Sequence, residues 1–430
     1  MQKEELKQIA EILDGIINSS ISFHDANVQI QKKALNSERV RVDVAYIGAV
    51  LRNYVSLNAL IDSYFSKIMK SLRSSLLIGL VTLRYSKDEK EKDEIKVLLE
   101  ELFRRVGLEN YLVSLKNLMS NVENSDKLIP KEYQPNTIQY FSCLYNIPSD
   151  LFKMWSKQYG IRTAIRTASS YSRRAPAVYR VNTNKILQGD LLAKNEQGLR
   201  ASETTNVLNY NGKGSIRSSA SHKEGLIFKT QKMVFDITQK MDVKNSDTLI
   251  YASDETCIPF EIMLSIQENE GKGLDIVVSR DSIKFPLMQK ANAIRNVKQY
   301  VRTAPFEGLE AHLHKKYHNV VFIPASTKLD DVSARPELLI QLNLDVMDKL
   351  IQEQAAGLSA LAQYVEEYGY IYYMIPTLSK KETTKIVHDF VNSNPDYKVV
   401  SETQYFPFEK GGATLYCAIL KKETVSNGEN

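Results

Sequence analysis

From residue 225 onward, short strand-like runs alternate with helix-like runs, and no other feature limits the fold as much. The strand-like runs are "DTLIYAS", "GLDIVVS", "VKQYVRT", "NVVFIPAS" and "YIYYMI". Between them lie "PFEIMLSIQENEG", "FPLMQKANAIRNV", "EGLEAHLHKKY" and the long amphipathic "LLIQLNLDVMDKLIQEQAAGLSALAQYV"; "KKETTKIVHDFVNS" follows the last strand. Such alternation predicts a mostly parallel sheet covered by helices. The closing pair, "YKVVSETQYFPF" and "ATLYCAILKK", suits an antiparallel edge. Ligands in open sheets gather where a strand ends before a helix. "YIYYMIPTLSKKET", residues 370–383, is a corner of that shape.

The front of the chain has a different period. Ile9, Ile12, Leu13 and Ile16, then Val44, Ile47, Leu51 and Val55, then Leu98, Leu99, Leu102 and Phe103 recur at three and four, and no proline precedes Pro130. Residues 1–130 therefore read as a bundle of amphipathic helices. Pro130, Pro135 and Pro148 mark a transition. "IPSDLFKMWSKQYG" predicts a helix capped by Ser149 or Asp150 and stopped at Gly160. "AVYRVN" alternates as a strand does, and turns are expected at Asn211-Gly212 and Lys213-Gly214. This gives three parts: 1–130 all-α, a small α+β part at 131–222, and an α/β part at 223–430.

The N-terminus is charged and amphipathic, without an apolar signal core. "LRSSLLIGLVTLRY", flanked by arginines, is too short for a membrane span and reads as a buried helix. Cys143, Cys257 and Cys417 are far apart, which fits neither a disulfide framework nor a zinc site, and a cytoplasmic protein with free thiols is expected. The net charge of +5 is unevenly placed. Between residues 151 and 232, 15 Lys or Arg face 4 Asp or Glu, a local +11 that leaves −6 for the rest. A basic middle segment is the electrostatic footprint of a nucleic-acid binder, although a solvated basic face without a partner has the same composition.

Three blocks resemble one family over nearly the whole chain. They are "VAYIGAVLRNYVSLNALID" with "LRSSLLIGLVTLRY"; "YNIPSDLFKMWSKQYG" with "RAPAVYRVNT"; and "RPELLIQLNLDVMDKLIQEQAAGLSALAQYV" running into "YIYYMIPTLSKKET". Together they resemble the Sun/Nop-type ribosomal RNA cytosine-5 methyltransferases that carry a NusB-like RNA-binding domain in front. The resemblance implies a NusB-like bundle, a small basic linker domain and a Rossmann-like class I methyltransferase domain. It also implies S-adenosylmethionine at the C-terminal edge of the first strands, RNA as partner, and two cysteines. One cysteine attacks C6 of cytosine, because C5 is a poor nucleophile until C6 carries an adduct, and the second assists product release.

The sequence departs from that pattern at each chemical position. Where the family has a glycine-rich cofactor loop, this chain has Ser253, Asp254, Glu255, Thr256 and Cys257, then Ile258 and Pro259 in place of the paired glycines. Glycines there let backbone amides approach a ligand, and proline removes a donor. Ser279 stands at the ribose acid, with Asp281 two residues on; Thr303 stands at the adenine-side acid and Ile323 or Phe322 at the acid of the fourth strand. Ala325 or Ser326 replaces one cysteine and Pro376 the other. The implied reading is an RNA-binding relative that has lost the reaction, with weak or absent S-adenosylmethionine binding, acting on ribosomal RNA or ribosome assembly. An active enzyme with rearranged motifs and a protein-interaction module on the NusB-like face are the alternatives.

For RNA, the candidates are Arg162, Arg166, Arg173, Arg174, Arg180, Asn182 and Lys185; Arg180 and Asn182 match the family's R-x-N positions. Guanidinium forks suit phosphate. Tyr171 and Tyr179 could stack on bases or simply pack, and Arg52 and Arg73 could extend the surface or be buried. Cys257 sits among carboxylates, which raise a thiol pKa. His314 and His318 lie one helical turn apart if their segment is helical, and solvated histidines are the simpler reading than a metal site. The glycines at 271 and 273 precede a strand, so they do not form a phosphate cradle.

Overall fold

The computed structural model describes residues 3–19, 21–33, 37–173, 177–212, 216, 219–253, 257–278, 294, 301–333, 335–342, 344–409 and 412–423. The chain forms two compact units, residues 1–174 with 331–342, and residues 175–330 with 343–430. Segment 131–222 thus contributes its first helices to the first unit and its strands to the second.

The first unit is helical, as the 3.6 period predicts: α1 (Lys3–Ile17), α2 (Phe23–Lys33), α3 (Ser37–Arg52), α4 (Tyr54–Tyr64), α5 (Lys70–Tyr85), α6 (Glu89–Arg105), α7 (Leu112–Asn124), α8 (Ile138–Tyr145), α9 (Ser149–Tyr159) and α10 (Ile161–Tyr171). The apolar run read as a buried helix is α5, which packs against α1, α3, α6 and α7. Its Leu76, Leu77, Leu80 and Leu83 are fully buried, each side chain contributing roughly 1.5–3 kcal/mol. Gly79 lets α6 come close, since a Cβ there would lie 2.7 Å from Leu99 Cδ1. The charged "KDEKEKDE" starts α6, with Asp88 as N-cap accepting from Lys90 N at 3.0 Å. Among the described residues, no single helix is long and apolar enough to cross a membrane.

The end of α8 is fastened to α4. Asn146 takes a left-handed conformation (φ 55°), and its Oδ1 accepts from Ser56 N at 3.0 Å and Ser56 Oγ at 2.9 Å. Pro148, rather than Ser149 or Asp150, occupies the N-cap of α9; Gly160 (φ 83°) ends it as expected.

The second unit contains two sheets. A four-stranded antiparallel sheet has the order β2-β3-β1-β4, from β1 (Ala177–Val181), β2 (Leu199–Ala201), β3 (Val207–Tyr210) and β4 (Ile227–Lys229). The short helices α11 (Gln188–Ala193) and α12 (Ala220–Lys223) pack beside β2 and β4 respectively. The β2–β3 turn spans 202–206, earlier than the turn expected at Asn211-Gly212; Lys213 and Gly214 lie outside the described residues. The larger sheet contains β5 (Asp247–Ala252), β6 (Gly273–Val278), β7 (Val301–Thr303), β8 (Tyr317–Ile323), β9 (Val365–Ile375), β10 (Tyr397–Tyr405) and β11 (Leu415–Lys422). Its order is β10-β11-β9-β8-β5-β6-β7; β9, β8, β5, β6 and β7 are parallel, with the antiparallel pair β11 and β10 at one edge.

Period-two alternation gives this sheet two apolar faces. Ile250, Ala252, Val321, Ile323, Tyr372 and Met374 meet α13 (Lys232–Thr238) and α14 (Cys257–Glu268). The long helix expected from residue 338 is two helices. Leu342 turns extended and ends α15 (Glu337–Gln341), and α16 (Leu344–Ala362) belongs to the second unit. In the first unit, Gln341 Nε2 donates to Ile16 O at 2.7 Å and Ile340 packs on the helical core. On the second face of the sheet, Leu249, Tyr251, Phe322, Ile371 and Tyr373 meet α16 and α17 (Thr384–Ser393). The "FPLMQKANAIRNV" run lies almost entirely outside the described residues. "EGLEAHLHKKY" holds only the 3-10 turn Phe306–Ala311, and His318 is on β8.

Candidate functional site

Strand order reverses between β5 and β8, so the ligand crevice of such a sheet opens outside their C-terminal ends. Here the described residues at that edge are mostly apolar. Ser253 N donates to Ile323 O at 2.9 Å, which extends the β5–β8 pairing by one step. Ile258, Pro259, Ile323 and Pro324 are all buried. Asp254, Glu255, Thr256, Ser279 and Asp281 lie outside the described residues, as does the side chain of Cys257. Thr303 is half-buried at the end of β7. The described ends of β5, β6, β7 and β8, residues 252–253, 277–278, 302–303 and 322–324, carry no glycine and no carboxylate. Ile258, Pro259, Ile323 and Pro324 offer a ligand no polar side chain.

The corner after β9 is equally committed. Pro376 carries no nucleophile, and its carbonyl accepts from Leu329 N at 3.1 Å. The Ser326 hydroxyl, 9% exposed, accepts from Lys328 N at 3.2 Å, a turn-closing bond. Beside them sits a polar cluster. Glu382, 0% exposed, accepts from Thr327 N (3.3 Å) and Gln354 Nε2 (3.1 Å) on Oε1, while Oε2 meets Thr377 Oγ1 (2.7 Å) and Thr327 Oγ1 (3.1 Å). Gln354 Nε2 also donates to Ala325 O at 2.9 Å. Burial pushes the Glu382 carboxyl above its ordinary range. Sequence reasoning passed over Thr327, Gln354, Thr377 and Glu382. The available signal was a Glu and paired threonines at the end of apolar strands, where unpaired polar groups are disfavoured.

The RNA candidates separate into two groups. On α9 and α10, Leu151, Phe152, Trp155, Ala164, Ala168 and Tyr171 face inward, while Lys153, Lys157, Arg162 and Arg166 face outward; Arg173, just past the end of α10, is exposed too. The i, i+4 spacing of Lys153 with Lys157 and of Arg162 with Arg166 puts each pair on one helical face. Arg174 lies outside the described residues. Tyr171 packs on Trp155 at 5.8 Å, and Tyr179 is also buried, so neither presents a ring for stacking. In the other unit, Lys185 is exposed but its Nζ donates to Glu224 O at 2.6 Å and to Ile294 O.

Arg180 and Asn182 are corrected by the structure, for both are buried. All three guanidinium nitrogens of Arg180 are used. Nε donates to Glu261 Oε1 (2.9 Å), Nη1 to Val181 O (3.3 Å) and Asn206 O (3.2 Å), and Nη2 to both oxygens of Glu268. Phe235 covers the guanidinium at 5.1 Å. Asn182 Nδ2 donates to Gly225 O at 2.9 Å, and its Oδ1 accepts from Asn184 N at 3.2 Å. Arg52 donates to Gly48 O, and Arg73 pairs with Asp62 and Asn58.

The helical spacing assumed for His314 and His318 does not occur. His318 Nε2 lies 3.4 Å from Asp242 and Nδ1 3.9 Å from Glu366, at the N-terminal end of the strands, beside an open cleft of about 360 Å³. Among the described residues, no group of His, Cys, Asp and Glu is spaced for a metal.

No protein-family model and no curated protein matches the chain. Among solved structures, it is similar to the crystal structure of PH0851, at 15% identity over 98% of this chain and 99% of that one, with a TM-score of 0.73. It is also similar to a methyltransferase homolog protein from Pyrococcus horikoshii (14% identity, 67% of this chain, 100% of that one, TM-score 0.56). NSun6 from Pyrococcus horikoshii with SFG matches at 13% identity over 64% of this chain and 98% of its own, with a TM-score of 0.55. At such identities the shared property is the fold: a Rossmann-like methyltransferase sheet in a multidomain chain that begins with helices.

Proposed function

We propose that this chain is an RNA-binding protein on a methyltransferase fold, acting in the cytoplasm on ribosomal RNA or an assembling ribosome, without cysteine-dependent methyl transfer. The observation that carries the RNA reading is the set of outward cations on α9 and α10, Lys153, Lys157, Arg162 and Arg166, with Arg173 just past α10, over an aromatic interior. Arginine and lysine so placed neutralise phosphates and release counterions.

The loss of chemistry has its own support. Pro376 offers no nucleophile, and Ser326 lacks a basic partner among the described residues and is engaged in a turn. Ser253 N bonds Ile323 O, and Ile258, Pro259, Ile323 and Pro324 stand at the switch-point edge, so little or no affinity for S-adenosylmethionine is expected.

The test titrates ribosomal RNA against salt and assays methyl transfer from S-adenosylmethionine on the same sample. Steep loss of RNA affinity with salt and no transferred methyl group support the reading. Transfer to cytosine means a rearranged enzyme. Weak, salt-insensitive RNA binding means that the helical front serves a protein partner.

A further inference from the structure

Three oxygen atoms beyond the ends of β8 and β9 lie mutually within hydrogen-bond range. Thr327 Oγ1 is 2.8 Å from Thr377 Oγ1; Thr377 Oγ1 is 2.7 Å from Glu382 Oε2; Thr327 Oγ1 is 3.1 Å from the same Oε2. Each side of this triangle needs one hydrogen, and the two hydroxyls supply two. Among the described residues, no neighbour supplies the third. Thr327 N and Gln354 Nε2 donate to the other carboxyl oxygen, Oε1. Ser379 N donates to Thr377 Oγ1 at 3.2 Å, filling a lone pair without adding a side to the ring. An ionised carboxylate would leave one side as two oxygens facing each other without a hydrogen. A carboxylic acid completes a ring in which every oxygen donates once and accepts once.

We propose that Glu382 is a neutral carboxylic acid in the folded protein, and that its proton latches the turn after β8 to the corner after β9. The latch joins three segments, through Thr327, Thr377 and, on α16, Gln354. Burial acts in the same direction, because it disfavours the charged form of a group with 0% exposure.

The titratable groups around the latch do not oppose it. Tyr373 on β9 donates its hydroxyl to Glu382 O at 2.8 Å, and burial keeps that phenol un-ionised. Tyr416 on β11 bonds Glu402 on β10 instead. Lys380 and Lys381 in the corner are exposed, and Lys381 lies 3.9 Å from Asp348 of α16. Glu353 on α16 is exposed, and on α17 Lys385 pairs with Asp389 and His388 with Glu402. Lys328 after β8 is half-buried. Among the described residues, the Glu382 carboxyl bonds Thr327, Gln354 and Thr377, none of them a cation.

The sign follows from proton linkage. An open or unfolded Glu382 titrates near the ordinary value of 4.5, while the latched residue titrates higher. The stabilisation is complete below the ordinary value and is lost as pH rises through the folded value. Glu382→Gln is the comparison: its amide donates where the acid O–H does, and it cannot titrate.

Hydrogen exchange of the Thr327, Leu329 and Ser379 amides, compared between wild type and E382Q at each pH, reads the opening directly. From the ordinary glutamate range upward, the wild-type opening constant rises about tenfold per pH unit relative to the variant, then levels off. A ratio that stays flat, or falls with pH, overturns the proposal. Infrared spectra of wild type carrying isotope-labelled glutamate give an independent reading: a protonated-carboxyl band persists at neutral pH, and Thr377→Val shifts it. Absence of that band, or a band that T377V leaves in place, overturns the proposal even if E382Q fails to fold.

Discussion

Arg180 on β1 donates its Nε to Glu261 on α14 at 2.9 Å, and neither side chain has exposed surface. Thr230 Oγ1 bonds the other oxygen of Glu261 at 2.5 Å. Burial pushes the Glu261 carboxyl upward and the permanent Arg180 charge pulls it back. Arg180, an RNA candidate in the sequence, instead joins the small sheet to the helix that follows β5.

Removing one partner of such a pair leaves a buried charge alone. Arg180→Ala is expected to lose about 3–5 kcal/mol. Glu261→Met combined with Arg180→Met recovers much of that, since apolar residues of similar volume replace buried pairs well. The only tryptophan, Trp155, lies in the other unit. Hydrogen exchange of β1 and α14 amides is therefore the informative measurement.

The cationic face makes a different prediction. Replacing Arg162, Arg166 and Arg173 together by Ala should weaken RNA binding and flatten its salt dependence. On a single strand the logarithmic slope falls by about 0.7 for each phosphate left without its arginine. These side chains point outward, so stability should change by only about 0.5 kcal/mol per site. An unchanged slope would place the RNA elsewhere.

Gly357 on α16 sits against two rings. A Cβ there would lie 2.5 Å from Phe306 Cζ and 2.6 Å from Phe322 Cζ. Phe306 stacks on Tyr251 at 4.6 Å, so it has little room to withdraw. Gly357→Ala gains about 1 kcal/mol of helix propensity and loses roughly 1–3 kcal/mol to overpacking. Net destabilisation is expected in thermal unfolding, and Gly357→Val should be worse.

Two thiols should be silent. Burial pushes Cys143 up to about 11 and Cys417 up to about 12, so at neutral pH both stay protonated. Peptide mapping after brief alkylation of the native protein should find neither modified, and both modified after denaturation. Modification of Cys417 in the native state would mean that β11 opens.

Much of the fold was legible because periodicity and burial agree. The three-and-four spacing of Ile9, Ile12, Leu13 and Ile16 and the alternation in "YIYYMI" each follow from which side faces the core. The split at Leu342 was not legible, because the apolar period continues through a residue whose backbone turns extended. His318 was misplaced for a related reason, since "HLHKKYH" mixes the end of a 3-10 turn with the start of a strand. At the corner after β9, the absence of a thiol at positions 326 and 376 was plain from the sequence itself. The destination of Arg180 was not, because its partners Glu261 and Glu268 lie 81 and 88 residues away in sequence.

Helix α15 sets the order in which the chain can be finished. Gln341 and Ile340 complete a helical unit whose other helices end at Tyr171. During synthesis those helices emerge early, then wait while some 160 residues of another unit are made. Until residue 341 leaves the ribosome, Ile16 O keeps its bond from Ser19 N but lacks the one from Gln341, and Ile340 has yet to join the helical core. Fragments cut near residue 174 lack that piece permanently, so the helical unit is built from two stretches of chain far apart in sequence.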